Sequence, residues 1–312
     1  MSKINEALAS EPVRPPDRHH GQLRGFAVAT VVLIVAFGRP LYDLVRFSIQ
    51  SDLYSHIVLV PCICLYLVWV RRKTLPPAGN FNHRLAVFFF LPGLVVLGGY
   101  WFAVFSGTEL AREDSLVLTT LSFLLLFGGI CGLFLGRPLF RALSFPLGFL
   151  VFMIPLPVFF LNWTDNFLQH GSAAVALGLF KISGTPVFYH DLIFQLPGMN
   201  LRVAPECSGI HSSLALFMTS LLAGYFFLHA RGKRVVLALA VILLGLLRNG
   251  LRIFTIGELC VHISPDMIDS YIHRHGGPVF FALSLIPLLL LLFLLVKSDR
   301  LSVEAKSSNG ET

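Results

Sequence analysis

Cys207 lies in Ala204-Pro205-Glu206-Cys207-Ser208-Gly209-Ile210-His211, where a polar stretch meets the apolar run Leu214 to Leu228. A thiol at a helix N-terminus faces unpaired N–H groups and the positive end of the helix dipole. Both favour thiolate, the form that attacks carbonyls. Glu206, next door, pushes the thiol the opposite way. Arg248 and Arg252 stand four apart, on one helix face. A fixed cation of this kind suits an oxyanion developing on a tetrahedral intermediate, and Asn249 is placed to orient the cation or the substrate. His273 and His275 flank Arg274 before Gly276-Gly277. Either imidazole could activate the thiol and later protonate a leaving amine. His211, one helical turn below Cys207, is a second base candidate, and His56, after Asp52-Leu53-Tyr54-Ser55, is a candidate substrate contact.

Each of these residues also has a plainer use. A lone cysteine is often a packing residue, arginines near a membrane boundary snorkel, and interfacial histidines are common. Cys207, His211, His273 and His275 could together offer a thiolate and imidazoles to zinc. One cysteine among several histidines is unusual for a structural zinc site, so no metal and no cofactor is expected.

These residues need a scaffold, and the composition says which kind. Of 312 residues, 55 % are hydrophobic and 13 % charged, with 29 Phe; a soluble chain is nearer a quarter charged. Several apolar runs approach or exceed the length of a bilayer crossing. The expectation is an all-α polytopic membrane protein, so the net charge of +7 is a question of where the positives lie rather than a sign of nucleic-acid binding. Cys62, Cys64 and Cys131 fall inside apolar runs, and the five cysteines form no disulfide framework. No internal repeat is present. Residues 1–22 are polar, with Pro12, Pro15 and Pro16, and read as a disordered cytoplasmic tail rather than a cleavable signal.

About eight spans are expected, near 23–38, 55–70, 85–105, 115–135, 142–160, 208–229, 235–256 and 278–296. They form one transmembrane domain over 23–297, followed by a short cytoplasmic tail, 298–312. With the N-terminus in the cytoplasm, 16 of the 24 Lys and Arg lie inside and six outside, the asymmetry the positive-inside rule asks for. Both termini are then cytoplasmic. Residues 163–183 carry Asp165, Asn166, Gln169 and His170 and read as a half-embedded outer helix, and 187–203 as a β-hairpin about Leu196-Pro197-Gly198-Met199-Asn200. This extracytoplasmic insertion between spans five and six leads to Cys207. Arg252 stands about 27 Å along its helix from Arg234, at ~1.5 Å per residue. Cys207, Arg252 and the His273–His275 loop thus reach one depth on the outer face.

With these residues in hand, the chain resembles the exosortase/archaeosortase family of polytopic membrane cysteine transpeptidases. Three ordered motifs carry the likeness: Cys207-Ser208-Gly209-Ile210, Asn249-Gly250-Leu251-Arg252 and His273-Arg274-His275-Gly276-Gly277. Tyr54-Ser55-His56, Leu59-Val60-Pro61, Phe145-Pro146-Leu147 and Met153-Ile154-Pro155-Leu156-Pro157 extend it over roughly 50–295. The resemblance implies Cys207 as nucleophile, Arg252 as oxyanion stabiliser and His273 as base and acid. Arg248, Asn249, His211, His275, His56 and Glu206 are left as substrate-binding or supporting residues. His211 departs from the family, which often has Arg after the Ile.

The implied substrates are exported proteins with a tripartite, PEP-CTERM-like C-terminal signal: a short motif such as Pro-Glu-Pro, a membrane helix and a basic cluster. The acyl group would pass to an amine on a lipid or polysaccharide of the envelope. The setting would be the plasma membrane, with membrane lipids around the protein, no nucleic-acid partner and the site on the extracytoplasmic face. The small-residue face Gly128-Gly129, Gly132 and Gly136 offers a bound substrate helix a lateral docking stripe. Two other functions fit parts of the pattern. A transporter or channel subunit would use Arg248 and Arg252 to bind an anion, and a membrane redox protein would use His211, His273 and His275 for metal or haem. Neither gives all three motifs a role.

Overall fold

The structure, a computed structural model, describes residues 18–204, 208–264, 266–267 and 277–308. The chain divides into two compact units, residues 1–158 and 159–312.

In the first unit, α1 (Arg18–Ala36) and α2 (Gly38–Gln50) meet at a 68° bend. Pro40 lies in the first turn of α2, where a missing N–H costs little. A 3-10 turn (Ser55–Val58) leads into α3 (Leu59–Arg71). The helix α4 (His83–Phe105) is capped by Asn82, whose side chain accepts from the Leu85 N–H at 3.1 Å. It packs along α5 (Arg112–Ala142). The helix α5 is broken at Gly136, whose φ of 69° and ψ of 167° suit only glycine. The break frees carbonyls that the preceding loop takes up: the Gly79 N–H donates to Leu135 O at 3.0 Å and the Asn82 N–H to Leu133 O at 3.3 Å. A short helix, α6 (Ser144–Phe149), and a 3-10 turn close the unit's helices.

The small-residue stripe on α5 is occupied. A Cβ on Gly128 would lie 3.1 Å from Phe89, one on Gly129 2.7 Å from Phe90, and one on Gly132 3.0 Å from Leu85, all on α4. At Gly136 a Cβ would meet the backbone of Gly79 and Asn80 at 2.8 Å. The stripe lets α4 and the loop before it approach α5 closely, so it is not free to receive a substrate helix.

In the second unit, α7 (Val158–Ser183) is followed by a three-stranded antiparallel meander, β1 (Phe188–His190), β2 (Ile193–Leu196) and β3 (Met199–Arg202). Then come α8 (Ile210–Phe227), α9 (Arg231–His262) and α10 (Gly277–Ser308). Ala173, Ala176 and Phe180 of α7, Phe194, Leu196 and Leu201 of the sheet, and Ile253 of α9 form one apolar core. Leu216, Leu237, Val241, Leu288 and Leu292 form another where α8, α9 and α10 meet. The turn after α7 is tied to α9, because Glu258 Oε1 accepts from Thr185 at 2.6 Å and from Ser183 at 3.0 Å. Asp299 of α10 accepts from the His229 N–H at 2.7 Å and pairs with Lys233 Nζ at 3.2 Å, tying α10 to the α8–α9 turn.

Among the described residues, five helices are long and apolar enough to cross a membrane: α4, α5, α8, α9 and the part of α10 up to Leu301. The number rises to seven if each of two bent helix pairs is one span. This is a mostly helical, multi-pass membrane protein, with fewer long helices than the eight expected. The run 142–160 is not one helix, because Ile154-Pro155-Leu156-Pro157 separates α6 and its 3-10 turn from α7; two prolines in four residues remove two helix donors. Residues 163–183 belong to the longer, continuous α7 rather than to a separate half-helix. The expected hairpin is β2–β3, turning at Pro197-Gly198, and β1 adds a third strand through Asp191 and Leu192, both at positive φ. The helix α1 begins at Arg18, inside the stretch read as tail, and α10 runs past Lys297 to Ser308. Arg300, Leu301, Glu304, Ala305 and Lys306, all good helix formers, fall within that extension. The rest of the N-terminal tail, 1–17, lies outside the described residues.

Candidate active site

The described part of the site is the segment Ser208-Gly209 and the side chains that hold it. Gly209 precedes α8 in the left-handed region, φ 76° and ψ 17°. Its conformation leads the chain into α8, and its missing side chain leaves room for a neighbour. A Cβ there would lie 2.7 Å from Arg248 Nη2 and 3.0 Å from the Asn249 carboxamide.

Both α9 residues bond the loop's backbone. Arg248 Nη2 donates to Gly209 O at 3.2 Å, and Asn249 Nδ2 donates to Ser208 O at 3.1 Å. Arg248 is 7 % exposed and Asn249 2 %. A buried charge requires a partner, and the Gly209 carbonyl at the start of α8 provides one. Gly209 O also accepts from the Ser213 N–H at 2.9 Å and from Ser212 Oγ at 3.1 Å, so several donors converge on it. Small residues on α9 let it reach this position. Gly250 lies against Val175 and the Ser172 carbonyl of α7, and Gly245 lies against Ser213 of α8.

A third tether comes from α7. Ser208 Oγ donates to Asp165 Oδ1 at 2.6 Å and accepts from the Ile210 N–H at 3.4 Å. Ser208 is 1 % exposed. The first residue after Cys207 is therefore fixed through its side chain by α7 and through its carbonyl by α9.

The other candidates are placed as follows. Arg252 is half-buried, one turn beyond Arg248 on α9. His211 is exposed in the first turn of α8. His56 belongs to the first unit, where its Nδ1 lies 3.0 Å from the Leu53 carbonyl. Glu206, Cys207, His273 and His275 lie outside the described residues. Among the described residues, no three His, Cys, Asp or Glu side chains gather to hold a metal, and of the zinc set weighed above only His211 is described.

Asp165 is the residue that motif reading passes over. Its signal was present, since an acid in an apolar helix is costly and usually has a partner or a role. Read as interfacial polarity, it points to the membrane surface rather than to Ser208.

Helices of membrane-crossing length, with a Ser208-Gly209 segment held by Asp165, Arg248 and Asn249, mark a multi-pass membrane protein with a buried polar site. A sequence model of one family, described as transmembrane exosortase (Exosortase_EpsH), matches residues 48–290. The match covers well over half of the chain, and the protein belongs to the transmembrane exosortase family. Searches of curated proteins and of solved structures find no match. Family membership supports a membrane protease or transpeptidase role.

Proposed function

We propose that the protein is a cysteine endopeptidase and transpeptidase that removes C-terminal sorting signals from exported proteins on the extracytoplasmic face of the plasma membrane. The observation that carries this reading is the triple tethering of Ser208-Gly209 by Asp165, Arg248 and Asn249. A loop fixed so closely beside one residue is what a nucleophile needs. Orientation alone contributes a large part of a covalent enzyme's acceleration.

In this reading the Cys207 thiolate attacks the carbonyl carbon of the scissile peptide and a carbon–sulfur bond forms. The oxyanion is stabilised by Arg252. Collapse expels the amine of the signal's C-terminal fragment, to which His273 delivers a proton. The exported protein is left as a thioester on Cys207. An amine on a lipid or polysaccharide then attacks the thioester, His273 takes its proton, and the thiolate is released. Arg248 and Asn249 act on the loop, and neither needs to touch substrate.

The test is made in cells carrying an epitope-tagged exported protein with the tripartite signal. Processing is compared for wild type, Cys207→Ser and Cys207→Ala at equal accumulation. Loss in both variants is expected. Undiminished processing with Cys207→Ala would overturn the nucleophile assignment and leave an anion-binding role for Arg252.

A further inference from the structure

We infer that Asp165 is a positioning residue for the Cys207 nucleophile, acting through Ser208; this deepens the proposed function and rests on it. The carboxylate lies on α7, more than forty positions before the loop in sequence, yet its Oδ1 is 2.6 Å from Ser208 Oγ. That short distance fits a charge-assisted hydrogen bond. Ser208 has one hydroxyl proton, and donating it to Asp165 fixes the side-chain rotamer. The same oxygen then faces the Ile210 N–H at the start of α8. Asn249, on α9, holds the carbonyl of the same residue.

Residue 208 is thus held at two points by two helices, and its backbone nitrogen is bonded directly to Cys207. A shift in Ser208 is passed to the Cα of Cys207 through a rigid, planar peptide. The two α9 tethers do not replace the one from α7. Arg248 and Asn249 fix the carbonyls of Gly209 and Ser208, on the helix side of the loop. Asp165 fixes the Ser208 side chain. Without it the loop keeps its carbonyl anchors, and the Ser208 hydroxyl, 1 % exposed as a residue, loses its acceptor. Rotation about the segment becomes possible while the fold stays intact. Misplacement of a reacting group by about 1 Å costs up to roughly a hundredfold in rate.

The experiment uses the full chain, with two readouts on Asp165→Ala, Asp165→Asn, Ser208→Ala and the Asp165→Ala/Ser208→Ala double variant. The first is processing of the tagged exported protein in cells. The second is iodoacetamide alkylation of Cys207 in detergent across pH, followed by mass spectrometry, with the buried Cys64, Cys131 and Cys260 as monitors of folding. Processing is expected to fall about 10- to 100-fold in Asp165→Ala and less in Asp165→Asn, which keeps an acceptor. The double variant is expected to be no worse than Ser208→Ala. The Cys207 alkylation profile is expected to change in Asp165→Ala and Ser208→Ala while the buried thiols stay protected.

Three results would overturn the inference: processing within about twofold of wild type in Asp165→Ala, losses in the single variants that multiply in the double variant, or loss that comes with exposure of Cys64, Cys131 and Cys260. The two failures are distinguishable. Active Cys207→Ala removes the functional reading itself, whereas inactive Cys207→Ala with a fully active Asp165→Ala removes only the role of Asp165.

Discussion

At the scale of single residues, Gly209 is the most exposed to a test. It sits at φ 76°, and a Cβ there would press to 2.7 Å of Arg248 Nη2. Left-handed backbone costs a side-chain-bearing residue about 1–2 kcal/mol, and the added clash dislodges the guanidinium from the Gly209 carbonyl. Gly209→Ala is expected to accumulate in membranes but to lose at least about tenfold in processing, the loss following from displaced loop carbonyls. Wild-type processing by Gly209→Ala would show that the loop is not held as described. The motif residues of α9 were legible in the sequence, since Arg and Asn in an apolar helix stand out. What they touch was not. The sequence offers Arg248 and Asn249 to a substrate, whereas the structure turns both onto the backbone of Ser208-Gly209. Helical spacing shows which residues share a face. It does not show that a loop carbonyl, rather than a cavity, lies opposite. Asp165 was hidden for the same reason, its partner lying on a distant stretch of chain.

At the scale of elements, apolar length located α4, α5, α8, α9 and α10 well, because runs of about 20 apolar residues leave little choice. It failed where local backbone chemistry governs. The strand β1 depends on a turn through Asp191 and Leu192 at φ 47° and 62°. That turn carries no glycine to announce it. Leu192 packs against the core beneath the sheet and offsets the strain. The glycines of α5 show how little composition says about use: a stripe that reads as a free docking face is filled by α4. Substitutions at two glycines separate the cases. Gly136→Ala combines φ 69° with backbone contacts of 2.8 Å, so the loop that pairs with Leu133 and Leu135 must move. Gly148→Ala meets nothing within 4 Å. Gly136→Ala is expected to lower the thermal midpoint in detergent by several degrees. Gly148→Ala, in a helix, should leave it unchanged or slightly raised. Equal midpoints would contradict the account of the α5 break.

For the whole molecule, hydropathy and family membership agree on a multi-pass membrane protein, while the basic residues set an expected orientation. Single cysteines placed for labelling with a membrane-impermeant maleimide test it. A cysteine at Gly107, between α4 and α5, is expected to react in intact cells, and one at Gly232, at the α8–α9 turn, only after permeabilisation. The reverse pattern would put the Cys207 loop on the cytoplasmic side and remove exported proteins as substrates. In the proposed reaction one thiol carries the acyl group between peptide and amine. Its most direct measurement is mass spectrometry of the purified full chain after brief exposure to a tagged protein bearing the tripartite signal. A hydroxylamine-labile acyl adduct that an added amine discharges is expected on Cys207, and no such adduct in Cys207→Ser. Complete processing with no adduct on Cys207, or an adduct mapped to another residue, would contradict it.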